Sequence, residues 1–168
     1  MADYRKAIPN ILRWEGGFAN DPYDRGGATM KGITLSTYRQ YYGSGKSVED
    51  LKRISDEEWG TIFKRGYWDR LKCDDIKDQS VANLLVDFGW MSGVSVAAKT
   101  IQIIVGVKAD GVIGPKSIAA INGCNQRQLF EKLYKARVDF FYKICSTRPT
   151  NKRFLNGWLN RLKSYRYV

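Results

Sequence analysis

The order of apolar and polar positions along the chain predicts a mainly α-helical protein. Ile8, Ile11 and Leu12 fall at helical spacing, and Glu15 continues their stripe. Pro9 fits the first turn of such a helix, where no amide hydrogen is needed. Gly16 and Gly17 then stop it. Residues 18–34 are rich in Gly, Asp and Pro and read as turns with a small hairpin. A helix near 35–42 follows, then a loop over 43–47. Ser55-Asp-Glu-Glu58 is a capping box that opens a helix carrying Trp59, Ile62, Phe63 and Trp68. The most apolar helix is predicted over 79–91, with Val81, Leu84, Leu85 and Phe88 on one face. Gly93 separates it from a helix at about 95–105. Residues 111–115 form a tight turn that places Pro115 at the first position of a short helix. A long helix over about 126–145 and a last one from Asn156 onward complete the set. Isolated helices of these lengths are marginal in water, so they must share a core.

Composition narrows the chemistry. A chain of 168 residues suits one domain, or one domain with a closely packed subdomain, large enough to fold without a disulfide or metal staple. Cys73, Cys124 and Cys145 are odd in number and widely spaced, which predicts free thiols packed as small apolar groups. The start, Met-Ala-Asp-Tyr-Arg-Lys, lacks the apolar core of a secretory signal, which predicts synthesis in the cytoplasm without a signal peptide. No apolar run approaches the ~20 residues of a membrane span, so membrane insertion is not expected. The chain has no histidine. That removes Ser–His–Asp and Cys–His hydrolysis and most catalytic zinc sites, so neither a metal nor another cofactor is expected. Carboxylates remain, and pairs of them are the usual tools for glycosidic bonds. Lys and Arg number 28 against 17 Asp and Glu, a net charge of +11. Such a charge steers a protein to anionic polymers. Lys132, Lys135, Arg137, Lys152, Arg153, Arg161, Lys163 and Arg166 make the C-terminal half basic. No helix-turn-helix, zinc-finger or ribonucleoprotein pattern accompanies the charge, which argues against a nucleic-acid partner.

Glu15 is the most informative residue. On the apolar face of its helix, its carboxyl loses water, which raises its pKa and keeps a proton available for a leaving oxygen. The two glycines after it let the chain fold back. The turn from Asp21 to Gly27 then brings Asp24 or Thr29 opposite Glu15. Asp21 and Asp24 are also ordinary turn residues that bond their own backbone. Tyr38, Trp68 and Trp90 are candidate sugar-stacking walls, with core packing as the competing role. Asp69 and Asp87 are candidates for bonding sugar hydroxyls, or for capping helices and pairing with the many Lys and Arg residues.

The run Glu15-Gly-Gly-Phe-Ala-Asn-Asp-Pro-Tyr-Asp-Arg-Gly-Gly-Ala-Thr-Met-Lys-Gly-Ile-Thr34 closely resembles the signature of glycoside hydrolase family 108, N-acetylmuramidases of phages and bacteria. Asp87-Phe-Gly-Trp-Met-Ser-Gly93, Ala98-Lys-Thr-Ile-Gln102, Ala109-Asp-Gly-Val-Ile-Gly-Pro115 and Gly157-Trp-Leu-Asn-Arg161 resemble later blocks of the same family, including its peptidoglycan-binding region. Where members usually carry asparagine before Ser-Gly, this chain has Trp90-Met91-Ser92-Gly93.

The resemblance implies a lysozyme-like helical fold with a small hairpin or turn region after the first helix. It implies a catalytic region over 1–93 and a peptidoglycan-binding-like helical region over 94–168, packed in one body. It implies that Glu15 is essential, as general acid on the β-1,4 bond between N-acetylmuramic acid and N-acetylglucosamine. The spacing of Glu15, Asp24 and Thr29 resembles the acid, aspartate and threonine order of phage lysozymes, one residue off at the threonine. Thr29 and Thr34 therefore both stand as candidates to hold a water or the substrate. The partner implied is peptidoglycan, with anionic wall polymers besides, met by a monomer after holin-type or other export. Two settings fit, a phage or prophage endolysin and a secretion-associated muramidase. The competing reading is a non-catalytic peptidoglycan-binding or secretion-accessory module.

Overall fold

A computed structural model describes residues 1–21 and 26–168. Mainly helical, with one small antiparallel sheet, it has the expected fold class. Its described residues form two compact units. One is Ile8–Gly66; the other joins Met1–Ala7 to Tyr67–Val168. The division falls well before Gly93, where the sequence reading had placed its boundary. The reason is packing: the helix that ends at Ser92 lies against the helix that starts at Val94.

The first helix, α1, runs Tyr4–Trp14 and passes from one unit to the other. It starts earlier than its apolar stripe suggests, so Pro9 lies inside it rather than in its first turn. A proline there lacks the N–H for a backbone hydrogen bond and costs about 3 kcal/mol. Tertiary bonds hold the helix start against that cost: Ala2 N–H donates to the Ile76 carbonyl at 2.8 Å, and Asp3 N–H to Gln79 Oε1 at 2.8 Å.

Within Ile8–Gly66, three short strands follow α1: β1 (Phe18–Asn20), β2 (Ala28–Met30) and β3 (Ile33–Thr34), in that spatial order and antiparallel. The β2–β3 turn is Lys31-Gly32, with φ of 50° and 83°. Two positive φ values in a two-residue loop give the twist that a tight hairpin needs. Gly32 adopts this freely; Lys31 does so at a cost. The buried Trp59 indole N–H donates to the Lys31 carbonyl at 3.0 Å and pins the turn. Next come α2 (Leu35–Tyr42), α3 (Val48–Lys52) and α4 (Asp56–Phe63). The predicted capping box at Ser55 and Glu58 is present, and Ser47 with Asp50 forms a second one on α3. Ile11, Ile33, Leu51, Ile62 and Phe63 are buried in this unit.

The other unit is built on α5 (Gln79–Ser92), which is buried on nearly every side, as a helix with apolar residues around most of its circumference must be. Against it pack α6 (Val94–Val105) and α8 (Gln126–Thr147). The shorter α7 (Pro115–Gly123) rests on α6 and α8, with Pro115 in its first turn. The last helix, α9 (Lys152–Lys163), packs on α8. It starts before Asn156 and stops short of the chain end, where Tyr167 O–H donates to Asp78 at 3.0 Å. Among the described residues, no helix is long and apolar enough to cross a membrane, and no cluster of His, Cys, Asp or Glu is arranged to hold a metal. Cys73 and Cys145 are buried, whereas Cys124 is exposed rather than packed.

Candidate active site

Glu15 follows directly on the last residue of α1, its N–H still donating to the Ile11 carbonyl at 3.1 Å. Its side chain is half-buried, not sunk in the core as the apolar stripe suggested. The stripe ends one turn too early to cover it. Gly16 and Gly17 then reverse the chain into β1, and Lys31 N–H donates back to the Gly17 carbonyl at 3.4 Å. Glu15 thus stands at the root of the three-stranded sheet.

The register of that sheet orders the candidate threonines. Ala19 pairs with Thr29, and Thr29 pairs with Thr34, so the three share one face. Phe18, Met30 and Ile33 pair across the other face. Thr29 and Thr34 are therefore direct neighbours with different duties. The Thr34 hydroxyl caps α2, accepting from Thr37 N–H at 3.1 Å and donating to Thr37 Oγ1 at 3.0 Å. A threonine that caps a helix has its donor and acceptor roles occupied. Thr29 is half-buried, and its hydroxyl carries no such bond among the described residues. Beyond this sheet, an open hollow of about 490 Å³ is lined by Gly27, Ala28, Leu35, Ser36, Arg39 and Gln40, among others. Asp24 lies outside the described residues, so its proposed place opposite Glu15 is not part of this geometry.

Three of the predicted wall and binding residues are core residues instead. Tyr38 is buried, and its hydroxyl lies 3.1–3.2 Å from both Glu58 carboxylate oxygens. Burial first, then that carboxylate, pushes its phenol above the ordinary tyrosine range. Trp68 is fully buried, with its indole N–H on Asp74 at 2.7 Å. Asp87 is fully buried between two arginines: Arg161 Nε and a terminal nitrogen reach Oδ1 at 3.0 and 2.7 Å, and Arg137 reaches Oδ2 at 2.9 Å. None of the three presents a free face to a polymer. Arg137 and Arg161 are also buried, and so do not belong to the basic surface expected of this half. Desolvation pulls the Arg137 guanidinium below its ordinary range while Asp87 pushes it back up. Trp90 and Asp69 remain half-buried, Trp90 with its ring 4.7 Å from that of Tyr67. Both belong to the unit that contains α5.

One aromatic escaped the sequence reading. Phe18 on β1 is 37% exposed, three residues from Glu15, with the Lys52 ammonium 4.6 Å over its ring. Its place inside the Glu-Gly-Gly-Phe run was the available signal.

Comparison with known proteins matches this arrangement to one family. The model of the glycosyl hydrolase 108 family covers residues 8–93. A second model, described as a predicted peptidoglycan domain, covers residues 96–163. The two meet near Gly93, so α5 belongs by sequence to the first match and by packing to the unit of the second. Among solved structures, SagA of Brucella abortus aligns with a TM-score of 0.82 and 32% identity, over 96% of this chain and 90% of its own. No curated protein matches.

Proposed function

The chain belongs to the glycosyl hydrolase 108 family and is a glycoside hydrolase, and on that premise we propose that Glu15 is the general acid of a peptidoglycan muramidase. Glu15 donates its proton to the oxygen between N-acetylmuramic acid and N-acetylglucosamine as the bond to C1 breaks. Positive charge then builds on C1 and the ring oxygen. Asp24 stabilises that charge or orients a water. Thr29, whose hydroxyl is uncommitted, holds the water in place. Thr34 supports it by fixing β3 to α2. The predicted peptidoglycan domain over 96–163 supports the wall as the polymer acted on.

The observation that carries this reading is the position of Glu15. It is a half-buried carboxylate at a helix end, directly joined to a sheet that offers a free hydroxyl. The rival reading, a wall-binding module without turnover, gives no reason for that arrangement. Turbidity loss of purified peptidoglycan separates them, with product ends identified by mass. Wild type is expected to clear the suspension and release muramic-acid reducing ends, while Glu15→Gln clears nothing. Equal clearing by both removes Glu15 from the acid role. Binding by both without clearing establishes the module. The stereochemistry follows from the first product's anomer: a retained anomer places the second carboxylate about 5–5.5 Å from Glu15, an inverted one about 6.5–9.5 Å. For the biological setting, we favour lysis or wall remodelling after export from the cytoplasm, in a phage, prophage or secretion context. Lysis that depends on a co-expressed holin tests the first of these.

A further inference from the structure

A heavily braced loop lies far in sequence from Glu15. Gln102, on α6, is 1% exposed, and its carboxamide is spent entirely on the segment after that helix. Its Nε2 lies within hydrogen-bond distance of Asp110 Oδ1 (3.1 Å), the Val112 carbonyl (3.0 Å) and Ser117 Oγ (3.1 Å). Its Oε1 accepts from Gly111 N–H at 3.0 Å. Asp110 Oδ1 also accepts from Val112 N–H at 3.0 Å. That bond and the one from Gln102 hold the Asp110 carboxyl below its ordinary range, so it stays ionised. Gly111 has φ 81°, and a Cβ there would meet Ser95 Oγ at 2.9 Å, so only glycine fits.

What this bracing presents is a hollow of about 480 Å³, bordered by Val107, Lys108, Val112, Pro115 and Lys116, with Gln102 and Ser117 at its floor. Val112 is 71% exposed although apolar. A buried amide that fixes an exposed valine is an investment that helix packing does not require. The lining has small aliphatic groups and two ammonium groups against one carboxylate already engaged by two N–H donors. It has no aromatic ring, the usual platform for a sugar face. Those properties suit a short peptide with methyl side chains and free carboxylates better than they suit a glycan.

We propose that this hollow is a binding site for the peptide stems of peptidoglycan, with alanyl methyls against Val107, Val112 and Pro115 and carboxylates toward Lys108 and Lys116. The proposal rests on the reading of the chain as a wall-acting enzyme and adds which part of the wall the second unit reads. A predicted peptidoglycan domain spans all of these residues.

The test uses the full-length chain, isotopically labelled. It is titrated with the free stem tetrapeptide of a Gram-negative wall and, separately, with glycan strands stripped of peptide by an amidase. The tetrapeptide is expected to shift amide signals over residues 102–117, with an affinity that falls as salt is added. In Lys108→Glu/Lys116→Glu the affinity should drop at least tenfold, and in Val112→Ser several-fold, while cleavage of the stripped strands keeps its wild-type rate. All three positions are on the surface, so the variants fold. Stripped strands that shift the same signals as strongly, or a charge-reversed protein that binds tetrapeptide as wild type does, would overturn the proposal. A chain that binds tetrapeptide but cleaves no glycan keeps this site and removes the Glu15 reading. A chain that clears peptidoglycan and ignores tetrapeptide does the reverse.

Discussion

Two carboxylates set the two units of this protein apart. Glu15 sits half-exposed where α1 gives way to glycines, joined to a sheet of short strands. Asp87 sits at 0% exposure in the middle of α5, with charge-assisted bonds to Arg137 and Arg161 on both its oxygens. The difference is one of commitment. Both carboxylate oxygens of Asp87 are bonded to arginines and so help hold three helices together, and burial leaves neither of them open to a substrate. In the sheet that follows Glu15, Thr34 is engaged by Thr37 and the Lys31 carbonyl by Trp59, and the Thr29 hydroxyl alone of the two threonine hydroxyls is left over among the described residues. A site that must meet a ligand keeps some polar groups unspent, whereas an architectural one cannot, because a buried unpaired charge costs several kcal/mol.

This contrast predicts opposite phenotypes. Asp87→Ala leaves two arginines facing each other without a counter-charge and is expected to lose about 3–5 kcal/mol of stability in chemical denaturation. Glu15→Gln is expected to lower turnover by about 10²–10⁴ while its melting temperature stays within a degree or two of wild type. If the two variants exchanged these phenotypes, the division of labour would collapse. The paired threonines sharpen the same point on a smaller scale. Thr29→Val should reduce kcat roughly tenfold with little change in stability. Thr34→Ala should lose about 1 kcal/mol from the α2 cap and retain most activity. Cysteine labelling gives the smallest perturbation of all. Burial pushes the Cys73 thiol well above its ordinary range, so a thiol reagent is expected to modify exposed Cys124 in the native state and reach Cys73 only after unfolding. Quantitation by mass of the labelled peptides decides it.

The helices were legible in the sequence wherever a stripe and a cap coincided. The Ser55 to Glu58 box formed as read, and Pro115 opens α7 as expected. The start of α1 was not legible, because it depends on Ile76 and Gln79, bonded from across the unit. At the site, Glu15 stood out through its glycines, a local signal. The sequence left the roles of Tyr38, Trp68 and Asp87 open between cleft and core for a common reason. An aromatic or acidic residue on a helix fits a core or a cleft equally well, and the partner that decides lies elsewhere in the chain. For Tyr38 that partner is Glu58, and for Asp87 it is a pair of arginines. That Thr29 and Thr34 are cross-strand neighbours depends on strand register, which two-residue and three-residue strands do not announce.

The Asp87 clamp also sets a schedule. Arg137 follows Asp87 by 50 residues and Arg161 by 74. At about 5–20 residues per second, a ribosome needs roughly 4–15 s to supply the second arginine after the aspartate has been made. Throughout that interval the Asp87 carboxylate is best left in water, because burying it without both arginines is costly. The α5, α8 and α9 core therefore closes around this clamp only once nearly all of the chain is available, and a translation arrest before Arg161 leaves a nascent protein whose α5 still waits for its cover.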